Sequence, residues 1–304
     1  MGSCLLQGKE LAKGIFDHPA ICYNDAITHP PVSDNAMSQN SAIEQHYGRP
    51  GLLKRMLRTL ANKGIPENDL TFETLAPVDE FHVGGLDATR RILNRLTLIP
   101  QDRLVDLGCG TGGPARAIAA ISGCHVSGFD LTREFIEAGT TLNHMTGMAD
   151  RVSLAQASIL NVPAADSTFS HAVMLHVGMN VADKEGIMRE AFRLLQPGGR
   201  FCVYDVMQTA DGALTFPLPW ASDPSFSAVA RTDAYLAAGL AAGFMFEAQH
   251  DESAGMARML TSMSDSGSAN RPDNGSDPFH NLARHIEEAL LAPTEIYFRK
   301  PDKA

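Results

Sequence analysis

Three observations predict an α/β fold for this chain, built on a doubly wound and mainly parallel sheet. From Arg103 onward, short apolar strands alternate with amphipathic helices, the pattern that makes βαβ units with right-handed crossovers. Residues 104–116, LVDLGCGTGGPAR, join a strand to a helix through a turn with glycines at alternate positions, Gly108, Gly110 and Gly112, preceded by Asp106. The next strand, HVSGFD (125–130), ends in a second acid, Asp130, at the edge where open α/β sheets bind their ligands.

Taken in chain order, residues 1–40 mix charges with Pro30-Pro31 and a polar run, and read as a flexible extension lacking an apolar signal core or an Arg-rich transit pattern. The opening MGSCLLQ has Leu6 where N-myristoylation wants Ser or Thr. Residues 41–64 read as helical, broken near Gly48-Arg49-Pro50-Gly51. Their second half sets Leu52, Leu53, Met56, Leu57 and Leu60 on one face and Lys54, Arg55 and Arg58 on the other. The stretch 66–81 reads as a polar connection to a helix over 86–97, so that 41–100 form a helical lid ahead of a core at 101–304. Strands are predicted at 103–107, 125–130, 151–156, 169–175, 199–206, 243–250 and 294–299. Helices fall near 113–121, 132–147, 183–195 and 232–242, with Thr132, Asp183 and Thr232 at N-cap positions. Two insertions interrupt the core. Residues 208–231 form a proline-rich loop with the single tryptophan, Trp220, and 251–292 contain a polar run, SMSDSGSANRPDNGSD, followed by a helix over about 279–291.

The bulk properties restrict the function. A chain of 304 residues that is 44% hydrophobic can bury a full core. A net charge of −10 argues against nucleic acid as a partner, because phosphates require a basic surface. No apolar run is long enough to cross a bilayer. The cysteines (Cys4, Cys22, Cys109, Cys124, Cys202) are odd in number and lack metal-site spacing, which reads as reduced thiols in a cytoplasmic protein. No metal site is expected, the partner is a small molecule, and a homodimer is compatible with these properties.

The glycine loop suits a nucleoside cofactor, since glycine permits positive φ and lets a ligand approach the backbone, and the helix that follows offers free N–H groups. Gly108, Gly110 and Gly113 also satisfy GxGxxG, and Asp130 would bind ribose hydroxyls in NAD or S-adenosylmethionine alike. Two features favour S-adenosylmethionine. Asp106 can anchor a cationic methionine end, directly or through water, but would repel a pyrophosphate. FRLLQPGGRFCVYDV (192–206) supplies a helix, a Pro-Gly-Gly turn and a strand.

DEFHVGG (79–85), the glycine loop, FDLTREFIEAG (129–139), LHVGMNVADK (175–184), the Pro-Gly-Gly joint and PLPWASDP (217–224) resemble the class I S-adenosylmethionine-dependent methyltransferases. Within them the chain is most similar to the sarcosine/dimethylglycine N-methyltransferase-like small-molecule group, over roughly residues 41–250. The resemblance implies a Rossmann-like, seven-stranded sheet with its last strand antiparallel, and S-adenosylmethionine as cofactor. It places Asp106, Gly108 and Gly110, within the loop that Gly112 completes, at the methionine end of the cofactor, and Asp130 and Leu131 at the ribose and adenine edge. In AQASILNVP (155–163), Ser158, beside Ile159, stands where the family usually has an acid for the adenine amino group.

His176 borders cofactor and acceptor in this family; it could orient the acceptor or take its proton, or serve as a hydrogen-bonded strand-end residue. Asn180 could orient an acceptor group or shape a turn. His82 belongs near the sulfonium or at a helix entry, and Trp220 faces the acceptor or anchors its loop. His46 and Tyr47 resemble an aromatic pair that closes over the site, and are equally suited to packing. With the loop of Trp220, their helices are expected to form a mobile cover. The implied activity is methyl transfer to a small amine nitrogen, of an amino acid or its partly methylated form. S-methylation of a thioether acid and cofactor binding without turnover are the alternatives.

Overall fold

Seven strands make one sheet: β1 (Arg103–Leu107), β2 (His125–Asp130), β3 (Val152–Gln156), β4 (Phe169–Leu175), β5 (Leu195–Gln208), β6 (Met245–Asp251) and β7 (Leu291–Arg299). They are ordered β3-β2-β1-β4-β5-β7-β6, in a computed structural model that describes residues 51–254, 256, 259–260 and 277–302. The pairs from β3 to β5 are parallel, and β7 runs antiparallel to both β5 and β6. The sheet is therefore the predicted one, with its last strand reversed. The strand order changes direction between β1 and β4, so a cleft opens beyond their carboxyl ends, where the loops after both strands meet.

The strands alternate between two cores because successive side chains point to opposite faces. Val105, Leu107, Ala172 and Met174 pack beneath α6 (Lys184–Leu194) and α7 (Thr232–Ala241). Leu104, Val173 and Leu175 pack beneath α3 (Gly85–Leu96) and α4 (Gly113–Ser122). A third apolar cluster sits above the cleft, joining Met179, Leu218, Trp220, Leu260 and α8 (Pro278–Glu287) through Leu282 and Ile286. A fourth ties α1 (Leu52–Asn62) and α2 (Phe72–Asp79) to α5 (Arg133–Met145) through Met56, Leu60, Leu75 and Leu142.

Four expectations are corrected. The stretch 66–81 is not merely a connection, because Thr71 and Thr74 form a reciprocal capping box that starts α2 despite Pro77 in its last turns. β5 begins at Leu195 and runs through the Pro-Gly-Gly joint instead of starting after it. The last helix stops at Glu287, and the chain turns at Ala289 (φ 54°) so that β7 starts at Leu291. Arg231, not Thr232, is the N-cap of α7, whereas Asp183 caps α6 by accepting from Gly186 N. His46, Tyr47, the extension 1–40 and the polar run apart from Asp277 lie outside the described residues. Among the described residues, no helix is long and apolar enough to cross a membrane, and Cys109, Cys124 and Cys202 are free.

Candidate active site

The glycine turn closes over the end of β1 with Gly108, Gly110 and Gly112 at φ 86°, 54° and 79°. A Cβ on Gly108 would stand 2.3 Å from Val177, so glycine alone lets the loops after β1 and β4 touch. Around Gly110 there is open space within 4 Å, room for a ligand against the backbone. Gly108 N and Cys109 N both donate to Phe129 O (2.7 and 3.1 Å). Asp130 braces the turn from the next strand: its carboxylate accepts from Gly110 N at 2.9 Å and from Thr132 N at 2.8 Å. Burial pushes its pKa up against those bonds.

A cavity of about 780 Å³ lies over this turn. Gly108, Gly110, Asp130, Leu131, Ser158 and Ile159 line one half, and His82, His176, Asn180 and Trp220 line the other. The fold thus brings together ten of the twelve predicted site positions. Gly112 is not among the lining residues; a Cβ on it would meet Leu154 at 2.9 Å, so glycine there lets α4 pack against β3. Asp106 stands one layer beneath the lining, 1% exposed, with Oδ2 lacking a hydrogen-bond partner among the described residues. Burial, and then the charge of Asp130, pushes its carboxyl up to about 7. A buried carboxylate left open beside a backbone cradle is suited to a cation.

In the other half, the His82 and His176 rings lie 6.0 Å apart, and Tyr204 packs against both. Tyr204 OH donates to Val83 O at 2.9 Å, fastening the 79–85 segment to β5. His82 meets Thr89 Oγ1 through Nε2 at 3.3 Å and Glu80 through Nδ1 at 3.5 Å. His176 occupies the left-handed region (φ 57°) with its N–H donating to Tyr204 O, and its Nε2 is buried without a partner among the described residues. Burial lowers both imidazoles, His82 to about 4, so both are neutral at physiological pH.

Three groups in or behind this half escaped sequence reasoning. Glu80 lines the cavity with Oε1 unpartnered among the described residues, and burial followed by the Asp79 charge pushes it up to about 8. The signal was a pair of adjacent acids, Asp79 and Glu80, just ahead of His82. Lys184 donates to Gly178 O, Val181 O and Ala228 O at 2.7, 2.6 and 2.8 Å, binding the turn of Met179 and Asn180 to the insertion of Trp220. It lies 5.3 Å from the ring centroid of Tyr235, whose hydroxyl donates to buried Asp205 at 2.6 Å. Finally, Arg116, 0% exposed, donates to Asp79 (2.6 Å), Asn143 (2.7 Å), Thr111 O (2.8 Å) and Gly139 O (3.3 Å). It fixes α2 to the base of the glycine turn. Trp220 is 3% exposed and donates through Nε1 to Ser227 Oγ at 3.1 Å, and it lines the cavity.

The family described as "Methyltransferase domain" matches residues 105–203. The chain is 32% identical over 126 residues to a sterol 24-C-methyltransferase of Eremothecium gossypii, a match covering 41% of this chain and 34% of that one. It is 30% identical over 130 residues to Methyltransferase GfsG of Streptomyces halstedii, covering 43% and 47%. The chain therefore spans less than half the length of these relatives. Among solved structures, a putative sarcosine dimethylglycine methyltransferase from Galdieria sulphuraria superposes with a TM-score of 0.59 at 19% identity, over 76% of this chain and 88% of that one. The [4+2]-cyclase SpnF superposes with a TM-score of 0.63 at 20% identity, over 86% and 97%. Identity this low establishes the shared fold and leaves the chemistry to the site.

Proposed function

We propose that this chain, whose residues 105–203 match the methyltransferase-domain family, is a class I S-adenosylmethionine-dependent methyltransferase that transfers a methyl group to a small molecule, at an amine nitrogen. The observation that carries this reading is the single cavity shared by the glycine turn and the His82–His176 pair. Its residues fit the cofactor: Asp106 offers a buried carboxylate with an open oxygen, Gly110 an open backbone, and Asp130 an acid at the end of β2. When bound, S-adenosylmethionine supplies an electrophilic methyl group on a sulfonium whose departure needs no acid. Asp106, Gly108 and Gly110 would hold its methionine end, and Asp130, Leu131, Ser158 and Ile159 its ribose and adenine.

The protein's work is then placement and exclusion of water. His82 and His176, both neutral, add no charge against a cation, and the open Nε2 of His176 can accept a hydrogen bond from an amine N–H and so aim the lone pair. Asn180 can fix a second polar group of the acceptor. The Trp220 ring offers its face to a methylated ammonium. The test is calorimetric titration with S-adenosylhomocysteine and with NAD, together with methyl release from S-adenosylmethionine over a panel of amines. The expected result is binding of S-adenosylhomocysteine, none of NAD, and turnover with amines; stabilisation by NAD alone would refute the reading.

A further inference from the structure

The half of the cavity away from the glycine turn is walled by hydrocarbon. Val83, Met179, Trp220, Leu260, Phe279 and Leu282 face it, and all but Phe279 belong to the third apolar cluster, which the 208–231 insertion and α8 help assemble. Two phenylalanines of the lining are exposed to solvent, Phe81 at 62% and Phe279 at 38%. Exposed apolar surface of this kind, gathered on one concave wall, marks a binding surface.

The charge inventory points the same way. A free amino acid brings a carboxylate, which needs an Arg or Lys partner once it leaves water. Among the described residues, Arg55 is the one Arg or Lys that lines the cavity. It belongs to the first turn of α1, which Leu52 N ties to Glu134 at the start of α5, beside Leu131 and Thr132. That is the cofactor half. The opposite half instead offers two neutral imidazoles and Glu80, whose carboxyl burial holds protonated up to about pH 8, so none of the three supplies a positive charge for a carboxylate. A volume of about 780 Å³ is in the upper part of the range for ligand pockets, ~300–1,000 Å³, and leaves room for a second body beside a nucleoside.

We infer that the methyl acceptor is a lipophilic molecule whose hydrocarbon body lies against Val83, Met179, Trp220, Leu260, Phe279 and Leu282, with its polar reacting end at His82 and His176. This rests on the methyl-transfer reading and narrows the class of molecule the site accepts.

The test uses the full chain with S-adenosylhomocysteine present and N-phenyl-1-naphthylamine as a neutral apolar probe. Trp220 is the only tryptophan of the chain, so energy transfer from it reports the probe at this wall. Trp220→Phe should abolish the transfer while the probe's own emission persists. Phe279→Asp, at a partly exposed position, should weaken probe binding about tenfold and leave S-adenosylhomocysteine affinity within about twofold. A series of n-alkylamines and n-alkanols should displace the probe with affinity rising about fourfold per methylene, the equivalent of ~0.8 kcal/mol. Glycine and sarcosine should neither displace it nor be methylated. Failure of the probe to bind, displacement independent of chain length, or saturable methylation of glycine or sarcosine would each overturn the inference. Calorimetry on the same protein separates the two readings: chain-length-dependent binding without S-adenosylhomocysteine binding would keep the apolar site and remove methyl transfer.

Discussion

Replacing Asp79 with alanine puts the join between the helical segment and the sheet to a quantitative test. Asp79 and Arg116 form an ion pair at 2.6 Å with side chains 1% and 0% exposed, so the variant leaves a guanidinium inside the protein without its counter-charge. Breaking such a pair by removing one partner costs ~3–5 kcal/mol. Arg116 keeps three neutral acceptors, Asn143, Thr111 O and Gly139 O, which holds the loss near the lower end, about 3 kcal/mol. At ~2–4 °C per kcal/mol for a large domain, the melting temperature should fall by about 6–12 °C. Urea unfolding of Asp79→Ala, Arg116→Met and the double variant at neutral pH gives the coupling directly. The double variant should cost less than the two singles combined, because it leaves no unpaired charge behind. A loss under about 1 kcal/mol in Asp79→Ala, or singles that simply add, would show that the pair does not join these elements.

Three further outcomes are expected. Asp130→Asn should weaken S-adenosylhomocysteine binding by about 2 kcal/mol in calorimetry; an unchanged affinity in the folded variant would reduce Asp130 to a brace for Gly110 and Thr132. Asp106 and Glu80 titrate higher in the folded chain, about 7 and about 8, than in the unfolded one. Their contribution to stability is therefore full below about pH 4 and is lost as pH rises through 7 to 8. Ligand-free protein should lose stability over that window, and Asp106→Asn should flatten the loss in a pH series of thermal melts. Lys184→Met strands three carbonyls, so Trp220 fluorescence should become more accessible to acrylamide, with Lys184→Arg restoring part of the protection.

What was readable in the sequence follows from how locally each feature is determined. The β1 turn, Asp130 and the alternation of strands and helices depend on residues within one βα unit, and the structure places them where the pattern did. Alternate glycines look alike in a sequence, whereas Gly110 faces open space and Gly112 the Leu154 side chain, a contact made from 42 positions away. Glu80, Lys184 and Arg116 were illegible for the same reason. Their partners lie on other elements, and a charged residue in a helical or turn pattern reads as solvated until the burial is seen. The 71–79 helix was hidden by Pro77 and by a capping box made of two threonines instead of threonine and glutamate.

His176 carries a consequence for anyone who evolves this protein. A histidine held at φ 57° costs about 1 kcal/mol over a glycine or asparagine in the same backbone. A screen that rewards heat tolerance will therefore enrich Asn at position 176, which relieves the backbone while keeping a side chain against Tyr204. The imidazole disappears in the same step, and no measure of folding will register its loss. Two lineages bred from this chain, one for persistence and one for turnover, should part first at that position.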